Sequence, residues 1–403
     1  LLPRSTRRQR AGYRYRHDGG VDAQRLRVSA GFGAQGLSFA TVLTHLPAYT
    51  DRWALDQTAV TLVVLAVSVA AGAGSLAASV LAGRLGSPRT LVGALVVVAL
   101  AAAATVLAPT LVTFYAAFAF WGAAVGGVDA AMNMQAVAVQ HRLGTSVMAG
   151  FHATWSLGGI LGALWTSADA VLHLGLTPAV LVVAALVVVL ALLARDPSPP
   201  PVSAPLDDVP PSRVRWRPVL VVGAAVVAFY VVDSAVSSWS SLYLRDVLRT
   251  STAVAALGFA AYQGTSLLSR AVGDAAVRRW GAVAIVRAAG VLGALGLLAV
   301  ITAPSTAVAV AGFAVTGLGL AVVTPLAFAT TDRLPERERE ETIARLNLFN
   351  YLGFVLGGVL VGAVGSGNLR MGYVVPAVGA VAVAGIATSF RSAPRPAPAA
   401  DTV

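Results

Sequence analysis

The sequence predicts an all-α polytopic membrane protein with twelve transmembrane helices in two six-helix bundles, and three observations predict it. The first is composition: 57% of the 403 residues are hydrophobic and 12% charged, against about 25% charged in soluble domains. Twelve spans of about 20 residues each would use roughly the whole apolar content. The second is the recurrence of apolar runs too long for the alternating strands of a β-barrel. The third is an internal repeat at an offset of 195 residues.

Taken in order, residues 1–27 are polar and hold eight arginines, so they read as a cytoplasmic tail. No small-residue cleavage site follows a short apolar core, which argues against a cleaved signal. Apolar runs follow at 28–49, 59–82, 90–107, 111–137, 147–168 and 177–194, and these form the first bundle (28–194). Residues 195–217 carry seven prolines and read as an extended cytoplasmic linker. The second bundle (218–390) comprises runs at 218–243, 252–272, 283–302, 306–330, 342–364 and 371–390, and 391–403 form a second cytoplasmic tail.

Charge sets the orientation. With both termini inside, twenty-two arginines fall in the inner segments and four in the outer loops, as the positive-inside rule requires. The net charge of +11 therefore speaks of topology and not of nucleic acid, which is not expected as a partner. All 29 basic residues are arginine, a bias that fits a GC-rich bacterial genome and hence a plasma (inner) membrane address. The lipid bilayer is the expected surrounding, and a monomer suffices. The chain has no cysteine, so disulfides, thiolate metal sites and cysteine nucleophiles are excluded. No metal or other cofactor is expected.

The 195-residue shift, applied without a gap, superposes Asp51 on Asp246, Arg84 on Arg279 and Gly86 on Gly281. It also superposes Pro109 on Pro304, Gly122 on Gly317, and Leu157-Gly158-x-x-Leu161-Gly162 on Leu352-Gly353-x-x-Leu356-Gly357. An even number of spans per copy makes the repeat parallel, about an axis along the membrane normal.

A six-plus-six parallel repeat with a cytoplasmic linker resembles the major facilitator superfamily. That family carries G-x-x-x-D-R-x-G-R-[KR] between spans two and three. Here Gly83-Arg84-Leu-Gly86-Ser-Pro-Arg89 and its second copy Arg278-Arg279-Trp-Gly281 keep Arg-x-Gly and lose the aspartate. Gly126-Gly-Val-Asp129-Ala-Ala-Met-Asn133-Met-Gln135, followed by Phe151-His152-Ala-Thr-Trp155-Ser156, is similar to a bacterial branch related to the fucose and sugar permeases. Trp239-Ser-Ser-Leu-Tyr243 and Arg270-Ala-Val-Gly273-Asp274 fit the same branch. The resemblance implies alternating access around a midplane cavity, with a small-molecule substrate. Arg84 and Arg279, at the family's motif, are candidate gating residues.

Asp129 is the most informative single residue. It lies about 20 Å of helix from Leu143, alone in an apolar run, and an ionisable group at that depth defaults to a functional role. A proton carrier is the favoured role, and a helix-tying acid the plain alternative. Asn133 follows one turn later on the same face. Across the tight turn His152 and Trp155 reach comparable depths, so these four are expected to converge on a pocket for a polar or hydroxylated solute. The competing reading is an interhelical hydrogen-bond cluster.

The shift carries His152 to Asn347, Trp155 to Asn350 and Ser156 to Tyr351, which makes Asn347, Asn350 and Tyr351 the second-half candidates. Gln35 in span one, with Tyr262 and Gln263 in span eight, lie at cavity depth. Asp233 is a further isolated acid suited to proton coupling, with His152 assisting. Arg270 and Asp274, four residues apart, are expected to form a gating or structural ion pair. His45 reads as interfacial. Four G-x-x-x-G stretches, at Gly122, Gly158, Gly353 and Gly358, are expected to let helix backbones approach closely.

No G-x-x-x-x-G-K-[ST] loop, H-E-x-x-H motif or hydrolase constellation is present, so enzyme chemistry and direct ATP drive are not expected. The function expected is secondary active transport of a small polar or sugar-like solute, with the proton as coupling ion. A drug or metabolite efflux antiporter is the alternative within the fold, and a non-transporting sensor the alternative outside it.

Overall fold

The computed structural model describes residues 4–143, 147–195, 216–330 and 336–391. Among them no β-strand occurs. The first half runs α1 (Arg4–Thr44), α2 (Leu46–Trp53), α3 (Gln57–Leu85), α4 (Ser87–Leu107), α5 (Leu111–Leu143), α6 (Met148–Leu172) and α7 (Leu176–Leu193). The second half runs α8 (Trp216–Leu242), a π-helical turn (Tyr243–Val247), α9 (Thr252–Ala255), α10 (Leu257–Trp280), α11 (Ala282–Thr302), α12 (Thr306–Leu320) and α13 (Val323–Ala329). It ends with α14 (Glu336–Val364), α15 (Leu369–Gly372), α16 (Val374–Gly385) and a 3₁₀ turn (Ala387–Phe390). The polar segment expected as a tail is helical from Arg4, continuous with the first span. The expected linker lies almost wholly outside the described residues.

Seven of the described helical stretches are long and apolar enough to cross a membrane by length and composition. Of the long helices outside this set, α1, α6 and α10 carry Gln35, His152, Trp155, Tyr262 and Gln263, whereas Asp129, Asn133 and Asp233 lie on α5 and α8, within it. Leu76, Val112 and Val171 are 72, 77 and 66% exposed on the outer surface, an arrangement that suits hydrocarbon and not water.

Proline explains several of the helix interruptions. After the break at His45, Pro47 sits in the first turn of α2, and Pro325 sits in the first turn of α13. There a missing N–H costs nothing, whereas inside a continuous helix it would remove a bond and clash one turn back. Spans expected as single runs at 28–49, 306–330 and 371–390 are therefore broken helices.

Each half has its own apolar core. One is built from residues between Val28 and Ala194. The other is built almost wholly from residues between Val219 and Phe390, with Leu46, Val60 and Val64 reaching in from the first half.

The repeat is visible in three dimensions. Helix α4 shifted by 195 is α11, end for end. The turns before them rest on Gly86 (φ 83°, ψ 145°) and Gly281 (φ 80°, ψ 154°), a conformation open to glycine and costly for any side chain. A Cβ on Gly122 would stand 2.5 Å from the carbonyl oxygen of Val67, and one on Gly317 would stand 2.3 Å from that of Tyr262, the same pair shifted by 195.

The gapless superposition fails at the first helix of each half. Gly158 and Gly162 press on the carbonyls of Gly33 and Leu37, while Gly353 and Gly357 press on those of Val227 and Val231. Here the offset is 194. The match of Asp51 with Asp246 is thus corrected, and the structural counterpart of Asp51 is Arg245.

Candidate functional site

The two halves meet along α3 with α14 and along α6 with α10, and at mid-depth each seam carries one polar contact. On the first seam the hydroxyls of Ser75 and Tyr351 lie 2.8 Å apart. On the second, Arg270 Nη1 donates to Ser156 Oγ at 2.8 Å. A shift of 195 turns Ser75 into Arg270 and Ser156 into Tyr351, so these are one contact made twice.

The copies differ in charge. On the first seam the Tyr351 hydroxyl also lies within electrostatic reach of the Asp129 carboxyl. Asn133, one turn along α5, donates its Nδ2 to Asp129 Oδ1 at 3.3 Å and to the Asp129 carbonyl at 2.9 Å. The counterpart of Asp129 in the second half is Thr324, next to the break between α12 and α13. The second seam carries the guanidinium of Arg270 instead. One flank of the interface is therefore acidic and the other basic.

A second carboxyl serves the basic flank. Asp233 is 9% exposed and accepts a hydrogen bond of 2.9 Å from the Tyr262 hydroxyl. Asp233 and His152 both lie within electrostatic reach of Arg270. Tyr230 lies within reach of Asp129, Asp233, Arg270 and Tyr351, and so stands between the flanks.

The foursome expected to converge is divided. Asp129 and Asn133 join Tyr351. Trp155 donates its indole N–H to Gln35 Oε1 at 2.8 Å, and Gln35 Nε2 donates to the Val125 carbonyl at 3.1 Å, so α1 stands as a strut between α5 and α6. His152 packs edge-on against Phe32, with ring centroids 5.4 Å apart. Gln263 is 1% exposed beside Gly159, and its Oε1 finds no partner among the described residues. Asn350 is half-buried on α14. The side chains of Asn347 and Asp274 lie outside the described residues. Arg84 and Arg279 are exposed at the Gly86 and Gly281 turns, Arg279 with its guanidinium 5.1 Å from the Trp280 ring centroid.

Two groups carry more than the sequence suggested. His45, read as interfacial, is 1% exposed; its Nε2 lies 3.1 Å from Asp169 Oδ2, and its Nδ1 lies 3.0 Å from Thr166 Oγ1. Arg245, read only as a loop charge, bridges the halves at the end of the molecule that bears α2. Toward that end an apolar void of about 10 Å³ lies between Phe39, Phe118, Ser238 and Phe354, room for no more than one water.

Two cores related by a parallel repeat, meeting at a charged mid-depth seam, define a membrane transporter. The family model of the Major Facilitator Superfamily matches residues 28–334 and, again, 250–402. The chain belongs to that superfamily. An uncharacterised MFS-type transporter of Yersinia pestis is 27% identical over 84% of this chain and 88% of its own length. The membrane protein MosC of Rhizobium meliloti is 26% identical over 84% of this chain and 82% of its own length. Among solved structures, a point mutant of the nucleoside transporter NupG superposes with a TM-score of 0.72 at 13% identity, covering 92% of this chain and all of that one. A bacterial homologue of the human lysosomal transporter Spinster, inward-facing and occupied, gives 0.65 at 14%, covering 91% of this chain and 95% of that one.

Proposed function

We propose that the chain is a proton-coupled secondary transporter of a small polar or sugar-like solute, working by alternating access in the bacterial inner membrane with both termini cytoplasmic. The observation that carries this reading is the Tyr351 hydroxyl of one half, bonded to Ser75 of the other and within electrostatic reach of Asp129. An ionised carboxylate attracts a hydroxyl more strongly than a neutral acid does. Protonation of Asp129 therefore loosens the acidic seam and deprotonation tightens it, which links proton movement to the rocking of the halves. Asp233, held by Tyr262 near Arg270, supports the same coupling on the basic seam, and His152 stands beside it. Gln35, Trp155, Gln263, Asn350 and Tyr351 supply the polar surface for the solute, with Tyr262 flanking it; Asn347 is kept as a candidate from the repeat alone.

The test is transport in proteoliposomes. Sugars, nucleosides, amino acids and organic cations are first screened by thermal shift, and the strongest binder is followed with and without a pH gradient. The expected result is gradient-driven accumulation by the native protein. Asp129→Asn should lose it at least roughly tenfold while keeping downhill exchange, as expected when a coupling group and not the fold is removed. Undiminished accumulation by Asp129→Asn removes the coupling role.

The apolar lining of the void, with Phe39, Phe118 and Phe354, favours a second reading, efflux of a more apolar metabolite or drug. Inverted vesicles distinguish the two by the direction of net movement.

A further inference from the structure

We infer that Arg245 is a latch on the pseudo-twofold axis, which holds the α2 end of the transporter shut and must release before that end opens. The inference rests on the rocking reading above. Arg245 Nη1 lies 2.9 Å from Asp51 Oδ1 and also donates to the Pro47 carbonyl, while Nη2 donates to Thr50 Oγ1 at 2.9 Å. Its Nε is turned to Asp246 of its own half at 2.6 Å. The guanidinium is thus spent on three groups of the opposite half and one of its own.

Its place on the axis follows from the repeat. In α1 and α8 the structural offset is 194, as the glycine contacts of α6 and α14 show. The offset continues past both helices: the Tyr49 hydroxyl bonds Thr105 at 2.6 Å, and the Tyr243 hydroxyl bonds the Val300 carbonyl. Arg245 is therefore the counterpart of Asp51. Two positions exchanged by a twofold axis can touch each other only beside that axis. The same site bears a carboxylate in one copy and a guanidinium in the other, so the copies attract where an identical pair would repel.

Both sides of the latch are firmly mounted. On the first half, Arg52 donates to the Val106 carbonyl at 2.8 Å, beside the Tyr49 bond. On the second, Arg370 donates to the carbonyls of Ile301 and Ala303, each at 2.8 Å, and its guanidinium lies 5.9 Å from the Tyr243 ring centroid. Breaking the Arg245 contacts therefore separates rigid bodies. The residue itself sits in a π-helical turn, an irregularity frequent at functional sites. Two further contacts close the flanks at this end: Gln57 Nε2 to the Gly362 carbonyl at 3.0 Å, and Ser167 Oγ to the Ala253 carbonyl at 2.6 Å.

The chain's lack of cysteine makes the test direct. Ser238, two turns below Arg245 and lining the void between the halves, is replaced by cysteine in the full-length protein in lipid nanodiscs. Its reaction with a water-soluble maleimide is then timed. The expected result is slow reaction in the Ser238→Cys background and roughly tenfold faster reaction when Arg245→Gln is added. Exchanging the charges, Asp51→Arg with Arg245→Asp, should return the rate toward the slow value. Because Asp51 is 74% exposed on its side chain, Asp51→Asn leaves folding intact and gives the deciding arm if Arg245→Gln yields little protein; a rise of roughly threefold is expected. Measurable reaction at one rate in all variants overturns the latch and leaves the rocking reading standing. No reaction in any variant overturns both.

Discussion

His45 connects α1 to α6 through Asp169, and the cost of losing it follows from burial. Removing one partner of a buried pair leaves a carboxyl without its hydrogen bond, and Asp169 Oδ1 already has none among the described residues. His45→Leu is expected to destabilise the protein by about 3 kcal/mol, read as a lower melting temperature in detergent. Adding Asp169→Leu should recover part of the loss, because a pair of apolar groups leaves nothing unsatisfied. At the seam, Ser75→Ala and Tyr351→Phe in a double-mutant cycle should show a coupling of about 0.6 kcal/mol, the size usual for hydrogen bonds between membrane helices. A coupling near zero would remove the Ser75–Tyr351 contact from the seam's stability. Asp129 and Tyr351 were legible in the sequence, one as a lone charge deep in an apolar run, the other through the repeat. The role of His45 was not, because its partner is 124 residues away and no local pattern announces it.

Among the helices, glycine sets how closely axes approach. Gly126 of α5 meets α3 so tightly that a Cβ would stand 1.8 Å from the Ala71 carbonyl oxygen, whereas a Cβ on Gly72 of α3 meets nothing within 4 Å. Gly126→Ala is therefore expected to cost about 3 kcal/mol or more by forcing the helices apart. Gly72→Ala should cost nothing, and by restricting the unfolded chain should gain about 0.5 kcal/mol. Equal melting temperatures for the two variants would contradict the packing account. The G-x-x-x-G spacing made such contacts predictable, whereas the breaks at α2 and α13 went unread, although Pro47 and Pro325 stand at them. The π-helical turn at Tyr243–Val247 left no mark, and the carbonyls that hold Tyr243 and Arg245 within it are far away in sequence.

For the whole molecule, the repeat was legible because arginine, proline and glycine recur at one offset in a chain of alanine and valine. The one-residue slip between offsets of 194 and 195 was not, since a gap in so repetitive a composition changes few matches. What the slip controls is which residues face each other across the axis, so a rigid reading paired Asp51 with Asp246 and passed over Arg245. Two cores, each built almost wholly within one half, imply that covalent continuity across the expected linker is dispensable. Cutting the gene within the linker, to give chains 1–204 and 205–403, should yield halves that co-purify in equal amounts when expressed together. Val64 against Gly358 and Thr61 against Gly362 interlock the halves along α3 and α14, and Trp239 donates to the Gly358 carbonyl at 2.8 Å, pinning the partner face of that seam. The paired halves should melt within roughly 5 °C of the intact protein, because the cut removes a loop-closure term that grows only slowly with length. Gly358→Leu in the second chain should abolish co-purification, since its side chain falls on Val64. Halves that never associate would place the linker, and not the seams, at the centre of the fold's stability.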